Sequence, residues 1–245
     1  AIGDCGLLKE LGITNVEGLS FPEGCKYKAL KNLSISGSDM QGYAPLILGT
    51  AKILSSLSIT DCTANSEVGG AIGACALLKE LGITNVEGLS FPEGCANKAL
   101  KALTVSGSDI SGYAPLFEGA KTLVSLSLAD CTANSDTGGG IGACAALAEL
   151  AIDDVEGLSF PEGCANKALS TLTVQGCDLI GYTPLIVGAS ASLSTAAITD
   201  SGMNEDVCSA IGACSKLGEL KVQNVTGFEP SRVFNAKSLT ALDIS

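Results

Sequence analysis

An elongated α/β solenoid built on parallel strands is the fold class that this sequence predicts, and three observations predict it. The first is a spacing. Leu-x-x-Leu-x-Leu/Ile/Val returns down the whole chain, with leading leucines at Leu8, Leu30, Leu54, Leu78, Leu100, Leu123, Leu147, Leu169, Leu193, Leu217 and Leu239. The eleven copies lie 22 to 24 residues apart, and a fixed period in that range marks a stack of small units, each burying its apolar face only against its neighbours. The second is alternation. Leu81-Gly82-Ile83 and its equivalents place apolar residues at every other position, the pattern of a short strand with one face buried. The third is composition: 46% of the 245 residues are hydrophobic, yet 4% are aromatic and none is tryptophan. A narrow interior filled in layers by leucine, isoleucine and valine has that profile.

Taken in order, the repeats are of three types. Residues 71–95 repeat residues 1–25 with two changes, Asp4 to Ala74 and Gly6 to Ala76. A third copy starts near Ile141 and a degraded fourth near Ile211. One solenoid over residues 1–245 is therefore expected, in blocks 1–70, 71–139, 140–209 and 210–245. The first type continues from Leu81 and Ile83 through Asn85-Val86 to Leu89, Phe91, Pro92 and Cys95. The second continues from Leu103 and Val105 through Ser106-Gly107-Ser108-Asp109-Ile110 to Tyr113, Pro115 and Leu116. The third continues from Leu126 and Leu128 through Ala129-Asp130-Cys131 to Gly138-Gly139-Gly140. The stretch after each strand, such as 113–121, has room for a 3₁₀ or single-turn α segment on the outer side. Gly69-Gly70 and Gly138-Gly139-Gly140 read as turns between layers. With strands stacked about 4.8 Å apart, the whole is a curved rod on the order of 50 Å long.

Composition also excludes chemistry. The net charge of −12 disfavours nucleic acid, whose phosphates need clustered Lys and Arg, and an anionic membrane surface. No apolar run approaches the roughly 18 residues of a membrane span, and no basic segment leads into an apolar one as in a signal peptide. With no histidine, Ser–His–Asp and Cys–His arrangements are impossible. No Lys-Ser/Thr follows the glycines as a phosphate-binding loop requires. The pair Asp153-Asp154 could serve a glycosidase, but stacked parallel repeats offer no opposed cleft. The reading is of a chain with no catalytic residues, no metal and no cofactor.

The chain opens inside a turn and closes on a complete strand signature, 239–245, with nothing after it to cover Leu239, Leu242 and Ile244. A longer native solenoid is the expectation, with self-association through uncapped ends as its rival.

The eleven cysteines leave two readings open. No Cys-x-x-Cys is present, so a zinc site has little support. Either all are buried thiols acting as small core residues, or adjacent coils pair Cys5 with Cys25, Cys75 with Cys95 and Cys144 with Cys164, at Cα separations of about 5–7 Å. In the last block Phe234 replaces the second cysteine, and Cys208 stands close to Cys214 as a substitute pair.

These repeats resemble the leucine-rich repeat family over essentially all of residues 5–245. Cys62 and Cys131, eight residues after their leading leucines, and Cys75 three before Leu78 are similar to its cysteine-containing repeats. The second type, with Asp109-Ile110-x-x-Tyr113-x-Pro115-Leu116, is closer to bacterial internalin and protozoan surface repeats. The ninth position departs from the family's asparagine, being Val86, Ser108 and Cys131 in turn. The resemblance implies a horseshoe or arc with a parallel sheet on the concave face, short turns or single-turn helices on the convex face, and a binding or scaffolding role. Its usual binding surface corresponds here to Lys79, Glu80, Thr84, Lys101, Thr104, Ser106, Ser125 and Ser127. Small Ser, Thr, Ala and Gly dominate that face, without the Trp, Tyr and Arg that anchor protein interfaces. It suits glycans, another closely packed chain, even ice, or simply water. The sequons at Asn32-Leu33-Ser34 and Asn224-Val225-Thr226 lean towards a secreted or cell-surface location. The functional expectation is a non-enzymatic structural, adhesive or scaffolding module of a microbial or protist surface. A receptor with a partner on the concave face is the alternative, which near-identical blocks weigh against. Partners would be a protein, a glycan or a second copy, not nucleic acid, and no segment would insert in a membrane.

Overall fold

The computed structural model describes residues 5–233 and 238–245, and these fall into two compact units, Ala1–Leu123 and Val124–Ser245. Asp4 and Phe234 lie outside the described residues. Unit one contains strands β1 (Glu10–Thr14), β2 (Asn32–Ser36), β3 (Ser56–Thr63), β4 (Glu80–Glu87) and β5 (Ala102–Ser106), with helices α1 (Ala44–Thr50), α2 (Ser66–Gly73) and α3 (Ala114–Gly119). Each strand pairs in parallel with the next, in a register that sets Leu11, Leu33, Leu57, Leu81 and Leu103 side by side. Unit two contains β6 (Ser125–Ala129), β7 (Glu149–Asp153), β8 (Thr171–Gln175), β9 (Thr195–Thr199), β10 (Glu219–Gln223) and β11 (Ala241–Ile244), with α4 (Ser135–Gly142), α5 (Thr183–Gly188), α6 (Glu205–Gly212) and α7 (Pro230–Val233). Its strands also pair in sequence order, with Leu126, Leu150, Leu172, Ala196, Leu220 and Leu242 in register. Each of the eleven copies thus yields one parallel strand, including that of Leu193, where Ala196 stands in place of the second leucine.

Burial follows the alternation. Leu81 and Ile83 of β4 and Leu103 and Val105 of β5 are at most 2% exposed, and the leading leucines from Leu30 to Leu217 are fully buried. Burying such a side chain stabilises by about 1.5–3 kcal/mol, so the repeated ladder supplies most of the core. Strand β11 differs: Leu242 and Ile244 are 37% and 49% exposed, against 2% for Leu220 and Val222, their partners on β10.

In unit one a left-handed residue follows β1, β2 and β5 (Asn15, Gly37 and Gly107) and falls near the end of the longer β3 and β4 (Asp61 and Asn85), with glycine in the second repeat type. Asn and Asp tolerate that conformation better than other side chains. At Gly107, φ is +62°, and a Cβ would also collide with Asn85 Oδ1. Glycine is needed there for both reasons.

The second-type helices α1, α3 and α5 open on Pro45, Pro115 and Pro184, whose fixed φ suits a first turn. A 3₁₀ turn over Leu179–Tyr182 leads into α5. These match the expected single turns. The glycine-rich stretches do not: expected as turns between layers, they are the eight-residue helices α2 and α4. Asn65 and Asn134 cap them by accepting the backbone N–H of Val68 and Thr137, at 3.0 and 2.9 Å, and Glu67 and Asp136 sit in the positive first turns. Glycine is used for closeness here. A Cβ on Gly69 would collide with the carbonyl oxygen of Ser90, and one on Gly138 with that of Ser159.

Six of the ten aromatics form a recurring pair. Phe21, Phe91 and Phe160 pack edge-on against Tyr43, Tyr113 and Tyr182 of the following repeat, with ring centroids 5.4, 4.9 and 5.2 Å apart. Among the described residues, no helix is long and apolar enough to cross a membrane.

Candidate functional site

The face of the strands turned away from the leucines carries the residues singled out from the sequence. In unit one, Lys79 precedes β4, which bears Glu80 and Thr84, and Lys101 precedes β5, which bears Thr104 and Ser106. Thr84 lies opposite Ser106, and Thr104 opposite Gly82. Lys79, Glu80, Lys101 and Thr104 are exposed, while Thr84 and Ser106 are half-buried by their neighbours. Two rows run across this unit, Gly12-Ser34-Ser58-Gly82-Thr104 and Thr14-Ser36-Thr60-Thr84-Ser106. Where Gly12 lacks a side chain, a surface hollow of 310 Å³ opens between Glu10, Asn32, Ser34, Ser56 and Ser58.

In unit two, Ser125 and Ser127 stand half-buried on β6 opposite Glu149 and Ala151. The rows beyond them change character. Ala151, Thr173 and Ala197 lead to Lys221, and Asp153, Gln175 and Thr199 lead to Gln223. Asp153 titrates above the usual carboxylate range, first because it is desolvated and then because Asp154 and Asp130 stand beside it. Among the described residues, no group of three or more His, Cys, Asp or Glu side chains is placed to hold a metal ion.

Behind the strand ends of second- and third-type repeats, the position that holds asparagine in the family carries smaller polar groups that serve the neighbouring backbone. Ser108 Oγ accepts the backbone N–H of Val86 at 3.0 Å and donates to Ser106 O at 3.1 Å. Ser38 does the same between Val16 N and Ser36 O, and Ser201 between Cys177 N and Thr199 O. A thiol substitutes where the residue is cysteine: Cys177 Sγ accepts from Val155 N at 3.4 Å and donates to Gln175 O at 3.1 Å. Serine and cysteine therefore satisfy buried backbone groups that a valine-only row would leave bare.

In the structure none of the pairs Cys5–Cys25, Cys75–Cys95, Cys144–Cys164 and Cys208–Cys214 is bridged. Within each pair the sulfurs face different partners. Cys75 Sγ turns inward onto Ala71 O, whereas Cys95 Sγ lies over Pro92 O. Cys144 and Cys164 repeat this with Gly140 O and Pro161 O. Cys208 Sγ sits 3.3 Å from Met203 Sδ, and Cys214 Sγ donates to Ala210 O. In the first pair, Cys25 is buried and donates to Pro22 O while Cys5 is exposed. Burial pushes Cys75 up to about 12 and Cys214 up to about 11. Cys62, Cys95, Cys164 and Cys177 are also raised, chiefly by desolvation. Thiols held protonated in this way are poor nucleophiles and poor metal ligands.

Sequence reasoning passed over two buried polar residues. Asn97 and Asn166 are fully buried, and their Nδ2 groups donate to the C-terminal carbonyls of α2 and α4 and of the cysteines that follow: Ile72 and Cys75, Ile141 and Cys144. Their recurrence at one place in successive blocks was the available signal.

No family model matches this chain, and no curated protein matches it. Among solved structures it is similar to internalin C2 from Listeria monocytogenes, at 16% identity and a TM-score of 0.56 over 81% of this chain and 84% of that one. It is also similar to the mouse RP105/MD-1 complex, at 15% identity and a TM-score of 0.60, over 89% of this chain and 38% of that one. At such identities the likeness shows a fold, and the fold is the leucine-rich repeat.

Proposed function

We propose that this leucine-rich repeat chain is a non-enzymatic structural or adhesive module, which presents recurring surfaces to other macromolecules. The observation that carries the reading is the strand face of unit one, where two rows consist of Gly, Ser and Thr and the third, Glu10-Asn32-Ser56-Glu80-Ala102, likewise has no aromatic or arginine anchor. Tight one-to-one recognition concentrates its energy in a few large buried side chains, whereas a repeated flat face gains strength from many weak contacts at once. The chemistry agrees, because the chain has no histidine and buried thiols such as Cys75 and Cys214 are held protonated.

Recognition of a discrete protein partner is the second reading. It is favoured by unit two, where Gln175, Lys221 and Gln223 put longer side chains on the face, and by likeness to a chain of the RP105/MD-1 complex. Capture from the native source separates the two. A module of many weak contacts should retain material steeply with the density of chain on the bead, and should tolerate Thr104→Ala. A partner held one-to-one by a single chain in solution, and lost on Lys221→Ala or Gln223→Ala, would establish the receptor reading instead.

A further inference from the structure

Unit one gathers most of its lysines at the starts of its strands, where Glu10 and Glu80 also stand beside Lys9 and Lys79. One residue after the leading leucine stand Lys9, Lys31, Lys79 and Lys101, and two residues before it stand Lys28, Lys52, Lys98 and Lys121. All eight are exposed, and only Lys26 among this unit's lysines stands elsewhere. The first row is physically continuous. Lys31 N–H donates to Lys9 O at 2.9 Å, Ser55 N–H to Lys31 O at 2.8 Å, Lys79 N–H to Ser55 O at 2.8 Å and Lys101 N–H to Lys79 O at 2.9 Å. The second row runs beside it: a Cβ on Gly6 would lie 4.0 Å from Lys28 Cδ, and Thr122 Oγ1 donates to Lys98 O at 2.8 Å.

At the far ends of the same strands stand Glu17, Asp39, Asp61, Glu87 and Asp109, all exposed. Their places are fixed by local bonds. Asp61 Oδ1 accepts Asn85 Nδ2, and the carboxylates of Asp39 and Asp109 accept the backbone N–H of Gln41 and Ser111. Among the described residues, the only ion pairs join Arg232 to Glu205 and Glu229. Among the described residues, no ion pair therefore ties down either edge of unit one.

We propose that the lysine edge of unit one docks laterally on the carboxylate edge of a second copy of this chain. The inference rests on the assembling-module reading and names a partner for it. Both edges are generated by the same repeat, so the two sets of charges share one period of about 4.8 Å. An unrelated polyanion has no reason to match that spacing. Single exposed pairs contribute little, so the match in period is what lets several engage together. The contact is heterologous, because each copy that docks through one edge leaves its other edge free, and growth is open-ended.

The net charge of −12 sets the salt dependence. Whole-body repulsion acts over the distance between two copies and is screened first, while edge contacts of a few ångströms are screened last. Association should therefore peak at intermediate salt. Sedimentation velocity of the 245-residue chain with a reducing agent tests this, at about 0.01, 0.1 and 1 M ionic strength, where the Debye length is about 30, 10 and 3 Å. The expected result is an open series of species at the middle salt that falls to the single 24.5 kDa chain at the highest.

Charge reversal gives the decisive arm. A Lys9→Glu, Lys31→Glu, Lys79→Glu, Lys101→Glu variant and a Glu17→Lys, Glu87→Lys variant should each remain single, while their mixture should associate. Circular dichroism checks folding of both, and a Lys→Ser series, which copies the natural Ser55, replaces the first variant if it fails to fold. Single chains at every salt, association that grows up to the highest salt, or association unchanged by reversal would each overturn the proposal. So would binding of heparin or single-stranded DNA by a chain that never self-associates. A chain that holds a different partner one-to-one yet stays single overturns this proposal and leaves the binding role standing.

Discussion

Adjacent glycines in α2 should respond to the same substitution with opposite signs. Alanine is a better helix former than glycine by about 0.8–1 kcal/mol, so propensity alone favours both Gly69→Ala and Gly70→Ala. The surroundings differ. A methyl on Gly70 would lie 3.5 Å from Pro92 Cγ, an ordinary van der Waals contact, whereas one on Gly69 would occupy the place of Ser90 O. A backbone carbonyl can withdraw only by moving the next repeat, and overpacking of that kind costs about 1–3 kcal/mol or more. Gly70→Ala is therefore expected to stabilise by about 0.5–1 kcal/mol and Gly69→Ala to destabilise by about 1–2 kcal/mol net. For a chain of this size each kcal/mol moves the midpoint by about 2–4 °C, so the two melts should separate by several degrees. Gly139 and Gly138 of α4 offer the same pair, beside Pro161 Cγ at 3.7 Å and against Ser159 O respectively. In α6 the place of Gly69 is taken by Cys208, whose thiol has room against Met203 Sδ and Gly227 O. A shift of both variants in one direction would refute the claim that close approach, not helix propensity, fixes the glycine.

Other consequences can be measured directly. Ser108→Ala strands the buried N–H of Val86 and should cost about 1–3 kcal/mol by urea unfolding, whereas Ser108→Cys, the residue used at Cys62, Cys131 and Cys177, should cost less than half as much. Leu103→Asp buries a carboxylate at a site 1% exposed and should exceed the about 2–5 kcal/mol of a leucine-to-alanine cavity. Unchanged circular dichroism in that variant would contradict the shared interior. Thiol titration in denaturant should count eleven free cysteines, and a count of three would restore the four disulfides. Cys75 and Cys214 are raised in the folded chain from 9.0 to about 12 and about 11. Folded thiols thus hold their protons more tightly than unfolded ones, and stability intact below pH 9 should decline above it. A Cys75→Ala variant should flatten that decline.

The fold is legible in the sequence because the information that specifies it is periodic. Leu78, Leu81 and Ile83 repeat at an interval that only a stack of parallel strands can satisfy, and the strands appear at the copies. What escapes is whatever depends on the neighbouring repeat. Gly69 and Gly70 look identical in a sequence, and glycine's low propensity argues for turns. The helix forms because Asn65 caps it and because its packing against Ser90 needs the missing side chain. The asparagine ladder looks interrupted when Ser108 and Cys177 are matched by residue type, but the requirement is a group that accepts one N–H and donates to one carbonyl. Counting residues places Cys75 and Cys95 at a common angle, but side-chain direction is set by the turns between them, which counting does not resolve.

The candidate face shows the same division more sharply. Net charge is an average over the surface, and −12 argues against any basic footprint. Solenoid geometry does not average: each position in the repeat becomes a line along the unit, so a residue type confined to one or two positions becomes a stripe. Lys31 and Lys101 are ordinary surface residues singly and form part of one continuous edge together. Carboxylates such as Glu17 and Glu87 gather at the opposite strand ends by the same rule. In a globular domain these residues would scatter, and the total charge would describe the surface adequately. In a repeat protein the useful quantity is charge per position of the repeat, which is available from sequence once the period is known.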